Sequence, residues 1–407
     1  MILKIKKNSK IEDVVRYYEQ LQIAIEKEER IDLLLPFEFT NAYVGLVPSL
    51  LQFVATWIRY HDSGKLLLDV KWDQDAEIAR LYENELVFPV VSMVWNSNGV
   101  YSHDGATNLR SYLKKFNEDI FSKMLKAMPL KGQKLFLTSF DHLPKDKGIL
   151  PCFELNNDFV KNESLLFDNI SKGLTDVLTY SAEYRAVFNS VKKDLIGIIY
   201  ELYKNTYEWG KTDTNNVPFD PNVRGVYCKF FKKRKNVILK ELKEHAGLVR
   251  FFESEIHHEN SVGEIGFAEI SVFDSGLGFI DKYKSLNDEV GLSDIDILRK
   301  CLIKRNTSAR GLEKGDKGIG LDRILNLLDK RGFLRIKTGR IDVYRNLITN
   351  PYQSVNNEEL KNMELFDWRN FESDNFSVEY PASGSLITVI FPLSLSFIGQ
   401  PELSFYE

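Results

Sequence analysis

The sequence has few cysteines and no long, uninterrupted apolar run. Its 407 residues include only Cys152, Cys228 and Cys301, which are odd in number and too far apart for zinc-ligand spacing. They predict buried thiols in a reducing cytoplasm. The longest apolar stretch, residues 43–58, is interrupted by a proline and polar residues, so it predicts a buried core helix and not a membrane span.

The sequence also lacks a strong excess of charge and a secretory leader. Lys and Arg number 54 against 58 Asp and Glu, a net charge of −4, which argues against a broadly basic nucleic-acid-binding protein. Residues 1–7 alternate apolar with basic side chains and lack the apolar run of a signal peptide, so they predict a first strand.

Several common site motifs are missing. We find no Gly-x-x-x-x-Gly-Lys-Ser/Thr loop, no Gly-x-Gly-x-x-Gly after a strand, no His-Glu-x-x-His and no Gly-x-Ser-x-Gly. His257 and His258 are adjacent, so their rings diverge, which favours a solvated loop over a metal site. The chemistry must therefore lie in other patterns.

Residues 1–160 predict an α/β domain with an at least partly parallel sheet, because strand-like and helix-like segments alternate. The strand-like runs are 33–35, 66–70, 88–91 and 135–137, and the helical ones are 11–28 and 108–128. Residues 161–395 predict a second domain, with an insertion of unassigned role at about 342–383 and a tail at 396–407. Its expected elements are helices at 163–178, 184–209, 237–252 and 321–330 and strands at 226–231, 267–273, 333–338 and 386–391.

Three clusters in the second domain carry candidate chemistry. On the long helix, Glu201 and Asn205 are four residues apart and share a face at the edge of the apolar stripe. An amide oxygen suits Mg²⁺, and a carboxylate one turn away can accept a proton from water. Taken alone, this pair also fits a solvated helix face.

The second cluster is Asp274-Ser275-Gly276-Leu277-Gly278, directly after a strand. A carboxylate there can accept a hydrogen bond from an exocyclic amine, and glycines let a flat ring approach the backbone. The alternative is an ordinary strand-to-loop turn, which Asp and Gly favour.

The third cluster, Gly315-Asp316-Lys317-Gly318-Ile319-Gly320-Leu321, opens a helix. Free backbone N–H groups at a helix start, with glycines allowing close approach, bind phosphates. A flexible loop with solvated charges is the alternative.

The order of these clusters resembles the GHKL ATPase superfamily of gyrases, heat-shock chaperones, histidine kinases and mismatch-repair ATPases. Residues 383–393 look like the family's last strand, with Ser385 where a Thr is usual. The resemblance covers about 181–395. It implies a two-layer α/β sandwich, the Bergerat-type fold, with a mixed sheet under helices and a separate N-terminal α/β domain.

The resemblance also implies ATP and Mg²⁺ as cofactors and a role for each cluster. Asn205 would hold Mg²⁺, Glu201 would be the general base, and Asp274 would bind the adenine amine beside Gly276 and Gly278. Residues 279–314 would form a lid over the nucleotide. The phosphate-binding segment would comprise Gly315, Lys317, Gly318, Ile319, Gly320 and Leu321, and Ser385 would complete the nucleotide-binding set.

The resemblance leaves the branch of the superfamily open. Slow Mg²⁺-dependent ATP hydrolysis used as a switch is the main expectation, with a protein kinase acting on a separate protein and a non-catalytic nucleotide sensor or scaffold as alternatives. Ser102-His103-Asp104 superficially resembles a phospho-acceptor motif, but residues 96–105 look like a loop. Residues 31–70 faintly resemble a STAS-type domain. We expect a cytoplasmic protein with a protein partner for its N-terminal domain and possible ATP-dependent homodimers.

Overall fold

The computed structural model describes residues 1–40, 43–156, 158–177, 182–287, 291–303, 320–355 and 359–394. Its first part contains a parallel sheet of four strands in the order β1-β2-β3-β4. Helices connect the strands and follow the last one. The strands are β1 Ile2–Lys4, β2 Ile31–Leu35, β3 Ser63–Leu68 and β4 Val100–Ser102, and the helices are α1 Asp13–Glu26, α2 Leu46–Arg59, α3 Asp75–Leu81, α4 Val87–Met93 and α5 Arg110–Leu125. The expected parallel α/β arrangement is confirmed.

One expected strand is wrong, because residues 88–91 lie in helix α4. All seven residues of α4 are buried, so its sequence is apolar on every side and carries no helical period. Pro89 occupies the first turn, where a helix needs no intrahelical N–H donor.

The second sheet has seven strands in the order β12-β11-β10-β13-β9-β8-β5. Every pairing that the structure describes within this second sheet is antiparallel. The family resemblance implied a mixed sheet here, and that expectation is wrong. The strands are β5 Lys134–Phe140, β8 Val223–Arg234, β9 Glu264–Asp274, β10 Phe333–Gly339, β11 Ile341–Asn346, β12 Phe366–Asp367 and β13 Ala382–Pro392.

Two segments of this sheet come from unexpected places. Strand β5 lies within the segment assigned to the first domain, yet it pairs with β8 along its whole length. Residues 342–346, assigned to the insertion, form most of β11 and pair with β10. The boundary expected at residue 160 therefore does not separate the two sheets.

Helices cover the face of the seven-stranded sheet that carries Cys228 and Ile270, where α7 and α8 pack. The remaining elements are α6 Lys145–Gly148, a small hairpin of β6 Glu154–Leu155 and β7 Asp158–Phe159, α7 Glu163–Val177, α8 Ala182–Trp209, α9 Lys235–Glu241, α10 Ala246–Glu253, α11 Gly278–Leu286, α12 Asp294–Leu302, α13 Gly320–Leu327 and a 3-10 turn at Leu360–Asn362. Together the two parts form an α/β protein.

Helix α2 covers the opposite face of the seven-stranded sheet. The Arg335 guanidinium, on β10, donates to Ser49 Oγ of α2 at 3.0 Å, and Glu269, on β9, accepts from the Gly45 N–H just before α2 at 3.0 Å. On its other side, Trp57 of α2 donates to the Ile31 carbonyl of β2 at 2.9 Å. The helix thus lies between the two sheets. No helix among the described residues is long and apolar enough to cross a membrane.

Candidate functional site

Helix α8 presents a buried stripe to the sheet, and Glu201 and Asn205 lie at its edge. Both side chains are partly buried, and the Asn205 side-chain amide has no hydrogen-bond partner among the described residues. The expected apolar stripe is buried except at Trp209, which is partly exposed. Its buried members are Val187, Val191, Leu195, Ile198 and Leu202.

Glu201 meets the start of helix α13. Its Oε1 accepts a hydrogen bond of 2.9 Å from Nη1 of Arg323, one turn into α13. A Cβ added to Gly320, the first residue of α13, would lie 2.7 Å from Glu201 Oε2. A glycine at this point lets the helix start reach the carboxylate.

Arg323 is shared between two carboxylates. Glu163, the first residue of α7, accepts from Nη1 at 2.8 Å and from Nη2 at 3.1 Å, a two-bond pairing. Desolvation alone would lower the pKa of Arg323, but the hydrogen bonds and charges of Glu163 and Glu201 outweigh it and raise that pKa above its usual range. The guanidinium therefore stays charged between the two.

Asp274 ends strand β9 as a buried carboxyl. It is 7% exposed, and its Oδ1 accepts a 2.8 Å hydrogen bond from the Gly276 N–H. Desolvation raises the pKa of Asp274 to about 6, although backbone donors and the charges of Arg224 and Arg59 oppose the rise. The carboxyl is therefore ionised at neutral pH and protonated in mild acid.

The sheet face beneath α8 changes from apolar to polar at this end. Val226, Val272, Ile387 and Ile336 form one cross-strand row, on β8, β9, β13 and β10 in turn. Two positions along the same strands, the row becomes Arg224, Asp274, Ser385 and Thr338, where Arg224 pairs with Asp274 and Thr338 with Ser385. All four of these side chains are buried. The polar groups of the candidate site therefore lie at this end of the sheet, next to its apolar core.

Glycines let backbone segments pack closely around Asp274. Gly384 has φ +69°, and a Cβ there would lie 1.9 Å from the Asp274 carbonyl oxygen. Gly278 has φ +79°, and a Cβ there would lie 2.5 Å from Thr338 Oγ1. Both positions thus exclude other residues by conformation and by space. A Cβ on Gly276 would meet the backbone of Gly210 at 2.6 Å.

Helix α8 links the clusters. Within α8, the Glu201 side chain lies against Gly320 at the start of α13. At the end of the helix, Gly210, directly after α8, lies against Asp274 and Gly276. Asn205 lies on the helix between these two contacts. The structure therefore brings the first two clusters and the end of the third to one helix, as a shared site requires.

Part of the third cluster lies outside the described residues, namely Gly315, Lys317, Gly318 and Ile319, as does the second half of the expected lid from residue 304. Leu321 is buried beneath the start of α13. The first half of the expected lid forms α11 and α12.

The sequence reasoning missed a buried ionic cluster behind the polar row. Arg224 Nε donates to Asp141 Oδ2 at 3.0 Å and its Nη2 lies 2.7 Å from Glu154 Oε1. Lys211 donates to Glu154 Oε2 at 2.8 Å. The four residues come from separate segments of the chain, and their side-chain contacts in the folded structure show that they are neighbours.

Helix α2 also reaches this site through Arg59. Its Nη2 donates to the Ser275 carbonyl at 2.9 Å, and its guanidinium lies 4.2 Å from the centre of the Phe219 ring. Burial lowers the pKa of Arg59 to about 10, opposed by the charges of Asp220 and Asp274. Thr56 Oγ1 accepts from the Ser383 N–H at 2.9 Å. The first part of the chain thus supports the loop after Asp274.

The residues present fit a Mg²⁺–nucleotide complex in their chemistry. Asn205 offers an amide oxygen, and Mg²⁺ bound with phosphates needs only one or two protein ligands. The described residues hold no group of three or more His, Cys, Asp or Glu that could bind a metal by itself. His103 lies in an exposed turn directly after β4 and not in a helix.

Comparison with protein-family models, curated proteins and solved structures finds no match to this chain. The GHKL and STAS resemblances therefore remain predictions from the sequence.

Proposed function

We propose that this chain binds ATP with Mg²⁺ through a GHKL-type site and hydrolyses it slowly, using the nucleotide as a conformational switch. The observation that carries the proposal is the buried row that contains Asp274 and Ser385, joined by one helix to Glu201 and to the start of α13. This arrangement offers an amine acceptor, a metal ligand and a helix start for phosphates within one site.

Each residue has a proposed role. The ionised Asp274 carboxylate accepts a hydrogen bond from the exocyclic amine of adenine, while Gly276 and Gly278 let the neighbouring backbone segments pack closely and so shape the wall around that carboxylate. Asn205 holds Mg²⁺, which when bound supplies positive charge to the phosphate oxygens. Glu201 accepts the proton of the water that attacks the terminal phosphorus, so that ADP and phosphate leave. The phosphates bind at residues 315–321.

A non-catalytic nucleotide sensor is the second candidate. It is favoured by the ion pair between Glu201 and Arg323, since a carboxylate held by a guanidinium has one oxygen fewer for a water molecule. In either case, the nucleotide state would control binding of a protein partner to the first part of the chain and formation of an ATP-dependent homodimer. We also expect the protein to be cytoplasmic.

Incubation of the purified chain with γ-labelled ATP and Mg²⁺ separates the candidates. Released phosphate supports hydrolysis, and label transferred to an added or co-purified protein supports a kinase. Neither product, together with ATP binding by calorimetry, supports a sensor. No binding up to millimolar ATP would falsify the nucleotide site itself.

A further inference from the structure

Arg323 occupies an unusual position for a surface-proximal arginine, because it bonds to two carboxylates on two helices. It holds Glu163 of α7 through two hydrogen bonds and Glu201 of α8 through one. The three side chains are between 16% and 31% exposed, so the cluster is partly shielded from solvent.

Losing Glu201 and losing Glu163 would affect Arg323 differently. If Glu201 moves away, Arg323 keeps its two-bond pairing with Glu163 and stays neutralised. If Glu163 loses its charge, Glu201 becomes the sole ionic partner of Arg323 among the described residues. The geometry therefore makes Glu201 the partner that can be released.

We propose that Arg323 is a positioning residue whose ion pair restrains Glu201 and slows turnover of the bound nucleotide, and that Glu163 retains Arg323 when Glu201 is released. The inference rests on the proposed function, because it assigns Glu201 a proton to accept. Arg323 lies one turn from Gly320, near the end of the phosphate-binding segment at residues 315–321. A nucleoside triphosphate bound there brings negative charge that competes with Glu201 for the guanidinium.

The restraint predicts opposite effects from two single substitutions. Arg323→Met removes the donor and frees Glu201, so kcat for ATP hydrolysis should rise about tenfold, the equivalent of one charge-assisted hydrogen bond. Glu163→Gln removes the competing charge and leaves Arg323 on Glu201, so kcat should fall. Because Arg323→Met removes the guanidinium for which the phosphates compete, it should also weaken the binding of a non-hydrolysable ATP analogue. Glu163→Gln keeps that guanidinium, so its dissociation constant for the analogue should stay near the native value.

The chain offers a matched control for a purely structural role. Arg331, just after α13, donates to Asp194 of α8 at 2.8 Å, so it also ties the α13 region to α8 but does not touch Glu201. Arg331→Met should lower thermal stability and leave kcat unchanged. If Arg323 only fastens α13, then Arg323→Met should behave like Arg331→Met.

The test is steady-state phosphate release by the full chain and the three variants, with calorimetry of the analogue alongside. A rise in kcat for Arg323→Met and a fall for Glu163→Gln support the restraint. A native or lowered kcat for Arg323→Met overturns it while leaving the nucleotide site intact. A native chain that binds no ATP overturns the proposed function and the restraint together, so the two failures are distinguishable.

Discussion

Replacing Asp274 by Asn tests a position where burial and charge conflict. The carboxyl lies at the end of β9 and is 7% exposed. Asn keeps an oxygen for the Gly276 N–H and nearly the same volume, but it removes the charge. The substitution should therefore separate the effect of the charge on folding stability from its effect on ATP binding.

The stability effect follows from the pKa. Burial raises the pKa of Asp274 from 3.8 to about 6. The folded state thus holds a proton that the unfolded state has lost between these values, so stability falls as pH rises through this window. Above pH 6 the penalty is complete at about 3 kcal/mol, since each pKa unit is worth about 1.4 kcal/mol. Asp274→Asn should leave the free energy of unfolding at pH 7 unchanged or raise it by up to about this amount.

The effect on binding has the opposite sign. A hydrogen bond from adenine to the carboxylate contributes about 1.5–3 kcal/mol, so its loss should weaken ATP binding roughly 10- to 150-fold at pH 7. Below pH 6 the native carboxyl becomes protonated, so native affinity should fall towards that of the variant. The variant also corrects for the titration of the nucleotide phosphates, because it lacks only the carboxyl.

Glu269→Gln is the matched control, because Glu269 lies on the same strand with its side chain on the opposite face. It is also buried, and burial raises the pKa of its carboxyl to about 7. This variant should change stability and leave ATP binding intact. Calorimetry between pH 5 and 8 and urea unfolding measure both quantities. Native ATP affinity in Asp274→Asn, or an equal loss in Glu269→Gln, would refute the assignment of Asp274.

Three further predictions follow from the same site and core. Asn205→Ala should lose both Mg²⁺-dependent ATP binding, measured by calorimetry, and turnover, measured by phosphate release. Glu201→Ala should keep ATP affinity within a few fold and lose turnover by about 100-fold or more. Native turnover in Glu201→Ala would show that the general base is another residue. Protease cleavage near Arg305 or Arg310, outside the described residues, should decrease when a non-hydrolysable ATP analogue is added, and equal cleavage would count against a lid. His257, expected in a solvated loop, is instead buried against the rings of Phe251 and Phe252, and desolvation lowers its pKa to about 3. Native stability should therefore fall by about 2 kcal/mol from pH 6.5 to pH 5, because the unfolded state takes up a proton that the folded state does not. His257→Phe should remove this part of the acid sensitivity in urea unfolding, and an unchanged pH dependence would contradict the assignment.

The sequence predicts most elements well, and it fails where a short apolar run shows neither a helical nor a strand period. The amphipathic helix at 11–28 is confirmed as α1, and the strand at 267–273 is confirmed within β9. The strand expected at residues 88–91 is wrong, because these residues belong to α4, a helix that is buried on all sides. The helix expected at 237–252 is two helices, α9 and α10, with His245 capping the second by accepting from the Leu248 N–H at 3.1 Å.

Some residues of the candidate site can be predicted from the sequence, and others cannot. Clusters close in sequence, such as Asp274 with Gly276 and Gly278, can be found from spacing alone. Arg224, Glu154 and Arg323 cannot, because each acts through a partner far away in the chain. Strand register places Arg224 beside Asp274, and helix packing places Arg323 beside Glu201. An isolated arginine in the sequence does not indicate either contact.

The composition of α2 explains why the first part of the chain and the candidate site are inseparable. Eleven of its fourteen residues are buried, because the helix packs between the parallel sheet and the antiparallel sheet. Gln52, Thr56 and Arg59 lie on its side towards the second sheet and bond to Lys337, Ser383 and Ser275. Those bonds hold the two backbone segments that flank Asp274. A partner that shifts α2 must therefore also strain the wall of the site, and a ligand that moves this wall must act on α2, since binding free energies couple in both directions.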